Sequence, residues 1–317
     1  MIKPLELTFL LWDIKKCRKC GEKAVRKDGR QNGHQRYRCH SCDDRFQNSQ
    51  RLNGVQKKIW HLYVHRKQTY CEIAKDFRRS TRWVQQMIDG HVPKLPHIGP
   101  CRTPLVIDAM FFGRENGILV FRSPTLRKNL GWWTIEKEEV DDYELGVAEL
   151  RLAGFEITGV TVDGRPGVLR RLESLGLPVQ MCHFHQIQIV SRYTTRYPRL
   201  LAAKELLNLA RLLPQTDEAS FCHWLEEWHK RWGGFLDEKS WDELRRRWRY
   251  THERLRKAHR SLTRHLPYLF TYHHHPDMPN TTNSLDGSFG HLRDRIGVHR
   301  GLRWHRKIKL AGELLGH

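Results

Sequence analysis

Two C-x-x-C pairs stand near the start of the chain, Cys17-Arg18-Lys19-Cys20 and Cys39-His40-Ser41-Cys42, with eighteen residues between them. Within each pair a tight turn lets two thiolates reach one ion, and two such turns complete a closed tetrahedral sulfur shell. The spacing therefore predicts a zinc ribbon over residues 1–50, with one structural Zn²⁺ held by Cys17, Cys20, Cys39 and Cys42. Disulfides are the competing use of these thiols. They are disfavoured because the apolar stretch from Leu7 to Trp12 is too short for the apolar part of a signal peptide. The other cysteines, Cys71, Cys101, Cys182 and Cys222, are scattered, which fits a reducing cytoplasm better than a disulfide scaffold.

The chain has 317 residues, 39% of them hydrophobic, and eleven tryptophans, enough for a sizeable core and about two domains. No run approaches the ~18 apolar residues that span a bilayer, so a soluble protein with no membrane partner is expected. The formal charge of +21 is unevenly spread: residues 1–100 and 187–317 are strongly basic, while 101–186 are slightly acidic. Basic stretches attract a phosphate backbone in a salt-dependent way, so nucleic acid is the expected partner. A locally acidic centre in a basic protein is what a group of metal-binding carboxylates would produce.

Residues 51–92 read as three helices. Val55, Ile59 and Leu62 recur at helical spacing in the first, Ile73, Ala74 and Phe77 mark the second, and Ser80 or Thr81 can cap the third. On the third helix Val84, Met87 and Ile88 form the expected buried face, with Arg82, Gln85 and Gln86 opposite. The pattern predicts a helix-turn-helix whose last helix reads duplex DNA through those three residues, the alternative being a plain three-helix packing unit.

Pro93, Pro96, Gly99 and Pro100 predict a linker over 93–104. Strand patterns follow at Leu105–Phe112, Ile118–Arg122 and Trp132–Glu136, then a helix from Asp141 to Ala153. A strand at Ile157–Val162, a helix at Val168–Leu175 and a strand at Val179–Cys182 complete the series. Three meandering strands followed by helix–strand alternation predict an α/β domain with a mixed sheet, in the order of a ribonuclease H-like fold. The expected catalytic domain comprises 105–186 and 276–317. Strand signals vanish over 187–275, where Phe221, Trp224, Leu225, Trp228 and Trp232, and then Trp241, Leu244, Trp248 and Leu255, suggest an all-α insertion with its aromatic residues in the core.

Asp108 sits inside the apolar run from Leu105 to Phe112, where a lone charge is costly unless paired or bound to a cation. Asp163 ends the run Val160-Thr161-Val162, at the carboxyl end of a strand, where open α/β sheets build their sites. Two such carboxylates on neighbouring strands make a hard oxygen site suited to Mg²⁺ or Mn²⁺. The alternatives are that Asp163 opens an Asp-Gly turn and that Asp108 pairs with a buried arginine. Asp286, in Asn280-Thr281-Thr282-Asn283-Ser284-Leu285-Asp286-Gly287, reads by itself only as an acid in a first helical turn.

Val106-Ile107-Asp108-Ala109, Val162-Asp163-Gly164, Cys182-His183-Phe184-His185 and the segment 280–287, followed by His299-Arg300-Gly301, together resemble the Mutator-like DDE transposase superfamily. The likeness is to its bacterial insertion-sequence branch, in the variant with an N-terminal zinc ribbon. The resemblance implies metal-dependent cleavage and strand transfer of double-stranded DNA, acting on the element's terminal inverted repeats and on target DNA. It implies two Mg²⁺ or Mn²⁺ ions, with Asp108 bridging and Asp163 and Asp286 each holding one. Cys182 and His185, the family's C-x-x-H, would shape the site, although a second zinc half-site or a packed pair also fits the residues. A homo-oligomer on DNA, associated with the bacterial nucleoid, is implied as well. One departure is Asp286, where the family usually has glutamate: the shorter acid belongs either to a working all-aspartate centre or to a decayed copy that only binds DNA. Another ribonuclease H-like nuclease, such as a junction resolvase, is the further alternative, and the predicted sequence-reading front end argues against it.

Overall fold

The computed structural model describes residues 17, 19–31, 34–47, 50–93, 98–113, 116–165, 167–299 and 301–316. The Leu7–Trp12 stretch, Arg18, Arg300 and the middle of the expected linker, 94–97, lie outside them. The chain divides into two compact units between Val92 and Pro93.

The first unit opens with an antiparallel meander, β1 (Val25–Gln31), β2 (His34–Cys39) and β3 (Arg45–Gln47). Its small core is Cys17, Tyr37, Cys39 and Phe46, with Tyr37 opposite Phe46 across the ladder and their rings 6.0 Å apart. So little apolar area cannot hold three short strands by itself, which is the usual situation of a domain that needs a metal staple.

Three helices follow: α1 (Gln50–Val64), α2 (Tyr70–Phe77) and α3 (Thr81–Gly90). The α1 helix starts earlier than expected at Val55, and its buried face is Ile59, Trp60, Tyr63 and Val64, while Val55 and Leu62 are only half-buried. Thr69 caps α2 through a capping box: the Glu72 N–H donates to Thr69 Oγ1 at 3.3 Å and the Thr69 N–H donates to Glu72 Oε2 at 2.6 Å. Arg78 ends α2 in the left-handed region at φ 50°, and Ser80 caps α3 by accepting from the Trp83 N–H at 3.2 Å. The three-residue turn between α2 and α3 has the form that joins the two helices of a helix-turn-helix. On α3, Val84 and Ile88 are buried, Arg82 and Gln86 are exposed, and Gln85 and Met87 are half-buried.

The second unit is built on a mixed five-stranded sheet, ordered β6-β5-β4-β7-β8. Here β4 is Arg102–Phe111, β5 Gly117–Ser123, β6 Lys128–Ile135, β7 Glu156–Val162 and β8 Val179–Met181. The first three run antiparallel, and β7 and β8 lie parallel to β4. The linker expectation overran, because β4 begins at Arg102. Pro104 is tolerated there because the β4–β7 register shifts between Thr103 and Leu105, and β4 meets β5 only from Val106 onward, so no ladder bond is asked of its missing N–H.

Helices cover both faces. Leu105, Ile107, Leu119 and Phe121 pack with Tyr143, Val147 and Leu150 of α4 (Val140–Leu152) and with Val168 and Leu172 of α5 (Val168–Ser174). Gly146 lets α4 approach the sheet: a Cβ there would lie 2.2 Å from Phe121 Cζ. The opposite face, Val106, Met110, Ile118 and Val120, is covered by two later helices.

Between the two halves of this layer runs an insertion of α6 (His183–Thr194), α7 (Leu201–Arg211), α8 (Glu218–Asp237) and α9 (Glu253–His265). It departs from expectation in two ways. Its first helix begins at His183, ahead of the boundary expected at 186/187, and it is not all-α. Lys239–Asp242 (β9) and Arg247–Tyr250 (β10) form an antiparallel hairpin. Trp241 and Trp248 therefore face each other across two strands and stay exposed, whereas Phe221, Leu225 and Trp228 do enter the core. Aromatic residues favour strands, and Arg246 in the left-handed region at φ 46° closes the turn. The chain returns to α10 (Asn283–Val298) and α11 (Trp304–Leu315), whose Leu285, Phe289, Leu292, Ala311 and Leu315 cover the second face of the sheet. His299 and Leu302, on either side of Gly301 and Arg300, are buried. No helix among the described residues is long and apolar enough to cross a membrane.

Candidate active site

Register decides which side chains meet. On the β7 side of β4 the last pair is Val106 with Thr161, so continuing the ladder two residues brings Asp108 level with Asp163. Between β7 and β8, Thr161 pairs with Gln180, and the same step brings Cys182 level with Asp163. Because strand side chains alternate, Asp108 shares a face with Val106 and Met110, the face that α10 covers. Asp286 stands in the first turn of that helix, next to buried Leu285. His185 lies in the first turn of α6, immediately after β8.

The start of α10 is tied to the parallel strands by three contacts. Thr161 Oγ1 donates to the Pro279 carbonyl at 2.7 Å, the His183 N–H donates to the Asn280 carbonyl at 2.9 Å, and the Thr282 N–H donates to Cys182 Sγ at 3.3 Å. The Thr282 hydroxyl lies 3.5 Å from the same sulfur. The N-T-T-N segment is thus the joint that carries the third acid to the other two. Thr161 and Thr282 are both buried; Thr282 belongs to the N-T-T-N segment that carries the resemblance, whereas a threonine inside an apolar strand run, such as Thr161, gives no signal by itself.

Burial pushes the Asp108 carboxyl up to about 7, with Asp163 and Asp286 adding to the rise, against the pull of the His185 charge and the Ala109 N–H. Its Oδ1 accepts that N–H at 2.8 Å, and no arginine pairs with it among the described residues. The buried-arginine alternative therefore has no partner to offer. Asp163 does close a local turn, accepting from the Arg165 N–H at 3.2 Å, but Arg165 spends its charge on Glu138 at 2.9 Å. His185 is raised to about 9, chiefly because its imidazolium bonds the Cys182 sulfur, with further help from the charges of Cys182, Asp108 and Asp163. Burial raises the Cys182 thiol, but the hydrogen bonds from His185 and Thr282 prevail and bring it below its ordinary value. His185 thus holds its proton beside Cys182 and the carboxylates, and its buried Nδ1 finds no hydrogen-bond partner among the described residues.

The ribbon cysteines are closer packed. Their four sulfurs lie within 4.8 Å of one another, with Cys17–Cys42 at 3.4 Å and Cys20–Cys39 at 3.6 Å. A tetrahedral zinc with ~2.3 Å bonds sets sulfurs about 3.8 Å apart, so this cluster could hold a structural zinc. Cys17 and Cys42 titrate far apart: hydrogen bonding from the Cys20 N–H, then from Lys19 and the neighbouring thiols, brings Cys17 down to about 7. The Asp44 N–H pulls Cys42 down, yet burial and the other three thiols push it up to about 12. A crowd of thiolates needs a cation, and one divalent ion relieves all four. Among the described residues no other group of three or more His, Cys, Asp or Glu side chains is this tight, so the aspartates are more widely spread than a single-ion cage. No protein-family model and no curated protein matches the chain.

Proposed function

We propose that the protein is a DNA transposase of the DDE type, with a ribonuclease H-like catalytic domain, that cuts and joins DNA strands at the ends of an insertion sequence. The observation that carries this reading is that Asp108, within β4, and Asp163, just past the end of β7, stand level on one sheet face, while the charge of Asp286 in the first turn of α10 acts on Asp108. The sheet order, an antiparallel meander continued by two parallel strands, supports the same reading. Exposed Arg82 and Gln86 on a capped α3, with Gln85 beside them, are suited to reading base edges in duplex DNA.

The hard oxygen donors of the three aspartates fit Mg²⁺ or Mn²⁺, and the raised Asp108 carboxyl is the sign of a buried acid in need of a cation. Two such ions, when bound, supply stabilisation of the attacking and leaving oxygens at phosphorus. The chain's own residues do the rest. Asp108 and Asp163 are fixed by strand register, and Asp286 is held by the Thr282–Cys182 and Thr161–Pro279 contacts. His185, cationic at neutral pH, offsets part of the carboxylate charge and offers a positive neighbour to a phosphate. The basic stretches at both ends of the sequence suit a DNA partner.

The test is strand cleavage of DNA carrying candidate element ends, with Mg²⁺ or Mn²⁺, comparing the parent with Asp108→Asn. Cleavage by the parent alone supports the reading. A parent that binds the ends and never cuts, while Asp286→Glu does cut, makes this copy a DNA-binding relic with a third acid one methylene too short. Absence of cleavage and of sequence-dependent binding in all forms rejects it.

A further inference from the structure

The hairpin of β9 and β10 carries its tryptophans at the surface and not in the core. Trp248 lies opposite Trp241 and Tyr250 opposite Lys239, so one face of the ribbon carries three aromatic rings. The two indoles stand edge to face, 5.6 Å apart at 70°. Such a cross-strand pair helps hold a two-stranded ribbon that is marginal by itself. Holding the ribbon does not require the rings to remain in water, yet Trp241 is 44% exposed and Trp248 65%. The base of the hairpin is firm: the Arg256 guanidinium lies 3.7 Å from the Tyr250 ring centroid and also donates to the Leu236 carbonyl at 2.9 Å. The tip is cationic. Arg245, Arg246 and Arg247 are exposed and form no ion pair among the described residues, whereas Arg249 meets Asp242 at 3.6 Å.

We infer that this hairpin is a stacking platform for unpaired bases of a DNA strand. Aromatic faces alone would suit an apolar partner, and arginines alone would suit any polyanion. A ligand that offers flat π-faces and a phosphate backbone together is a nucleic acid whose bases are not already stacked in a duplex. Indole–base stacking fixes the bases, while the three unpaired arginines hold the backbone. The choice of DNA rests on the proposed function; the platform itself rests on the hairpin.

The test is binding of the full, zinc-loaded chain to oligodeoxythymidine and to an abasic strand of equal length, without Mg²⁺ or Mn²⁺. Trp248→Leu keeps an apolar cross-strand contact and removes the π-face; it is expected to weaken oligodeoxythymidine binding about 10-fold and leave abasic binding unchanged. Trp248→Phe should retain most of the affinity, and Arg246→Ala should weaken both strands and flatten the salt dependence. The inference is overturned if Trp248→Leu binds oligodeoxythymidine as the parent does, or if it loses both strands equally. It is also overturned if that variant changes only self-association, which would make the face a protein contact. Because nothing is cut in this assay, the result stands apart from cleavage: a chain that never cleaves but still needs Trp248 for unpaired bases keeps the platform and loses the transposase reading.

Discussion

The four cysteines, which could hold a metal ion, and the three aspartates, proposed to hold others, are assembled in opposite ways. The four cysteines come from two tight turns within one small meander, and their sulfurs gather within 4.8 Å of one another. The three aspartates come from a central strand, the end of a parallel strand and a helix more than a hundred residues later, and they are more widely spread. The first cluster resembles a closed structural shell in which the ion supplies folding energy. The second depends on a sheet that exists without it, and its acids are held apart by register and by two threonines. A structural site can be local and tight, while a site that must admit a phosphate has to stay open and be held from a distance.

The contrast can be broken most forcefully at the ribbon. Cys39→Ser removes one of four thiolates, and because binding of a structural zinc supplies about 10–16 kcal/mol of apparent folding free energy in small modules, β1–β3 should lose both metal and order. Metal analysis reads this directly: the parent should carry one tightly held zinc and the variant none. At the aspartates the same kind of change should spare the fold and remove activity. Asp163→Asn is expected to keep the far-UV circular dichroism of the parent while cleavage falls by about 10²–10³-fold. Asp286→Glu should change the rate by about 10²-fold, since one methylene moves the carboxylate by nearly a bond length.

Titration sharpens the comparison further. The folded Asp108 keeps its proton up to about pH 7, where the unfolded chain has lost it near pH 4, so the folded form binds more protons across that window. Its contribution must therefore weaken as pH rises from about 4 to about 7, by at most ~4 kcal/mol. Urea denaturation of the parent and of Asp108→Asn should differ in slope across that range, and added Mg²⁺ should remove the difference by favouring the ionised acid. The smallest effect is expected at the joint. Thr282→Val deletes the hydroxyl that meets Cys182 Sγ and should cost about 1 kcal/mol in the same denaturation experiment.

Much of this was legible because it is encoded over short distances. The cysteine pairs, the capped α3, the apolar runs of β4 and β7, and Asp108 and Asp163 within them all appear as local patterns. Asp286 was not legible in that way; an acid in a first helical turn is ordinary, and only resemblance marked it. Its attachment runs through Thr161, Cys182 and Thr282, whose pairing spans a hundred residues. The hairpin was misread because Trp241 and Trp248 are seven apart, a spacing that two helical turns and a short ribbon share, and only the turn at Arg246 separates the two. Pro104 misled for a related reason, since its fitness for a strand depends on a register shift with β7 that local composition cannot announce.

The most direct test of the central claim, that Asp108, Asp163 and Asp286 form a divalent-cation centre, is a titration of the zinc-loaded protein with Mn²⁺, followed by the loss of the free-ion electron paramagnetic resonance signal. The account predicts saturable binding by the parent, strongly weakened by Asp108→Asn and by Asp163→Asn and less so by Asp286→Asn. Equal Mn²⁺ binding by the parent and all three variants would contradict it.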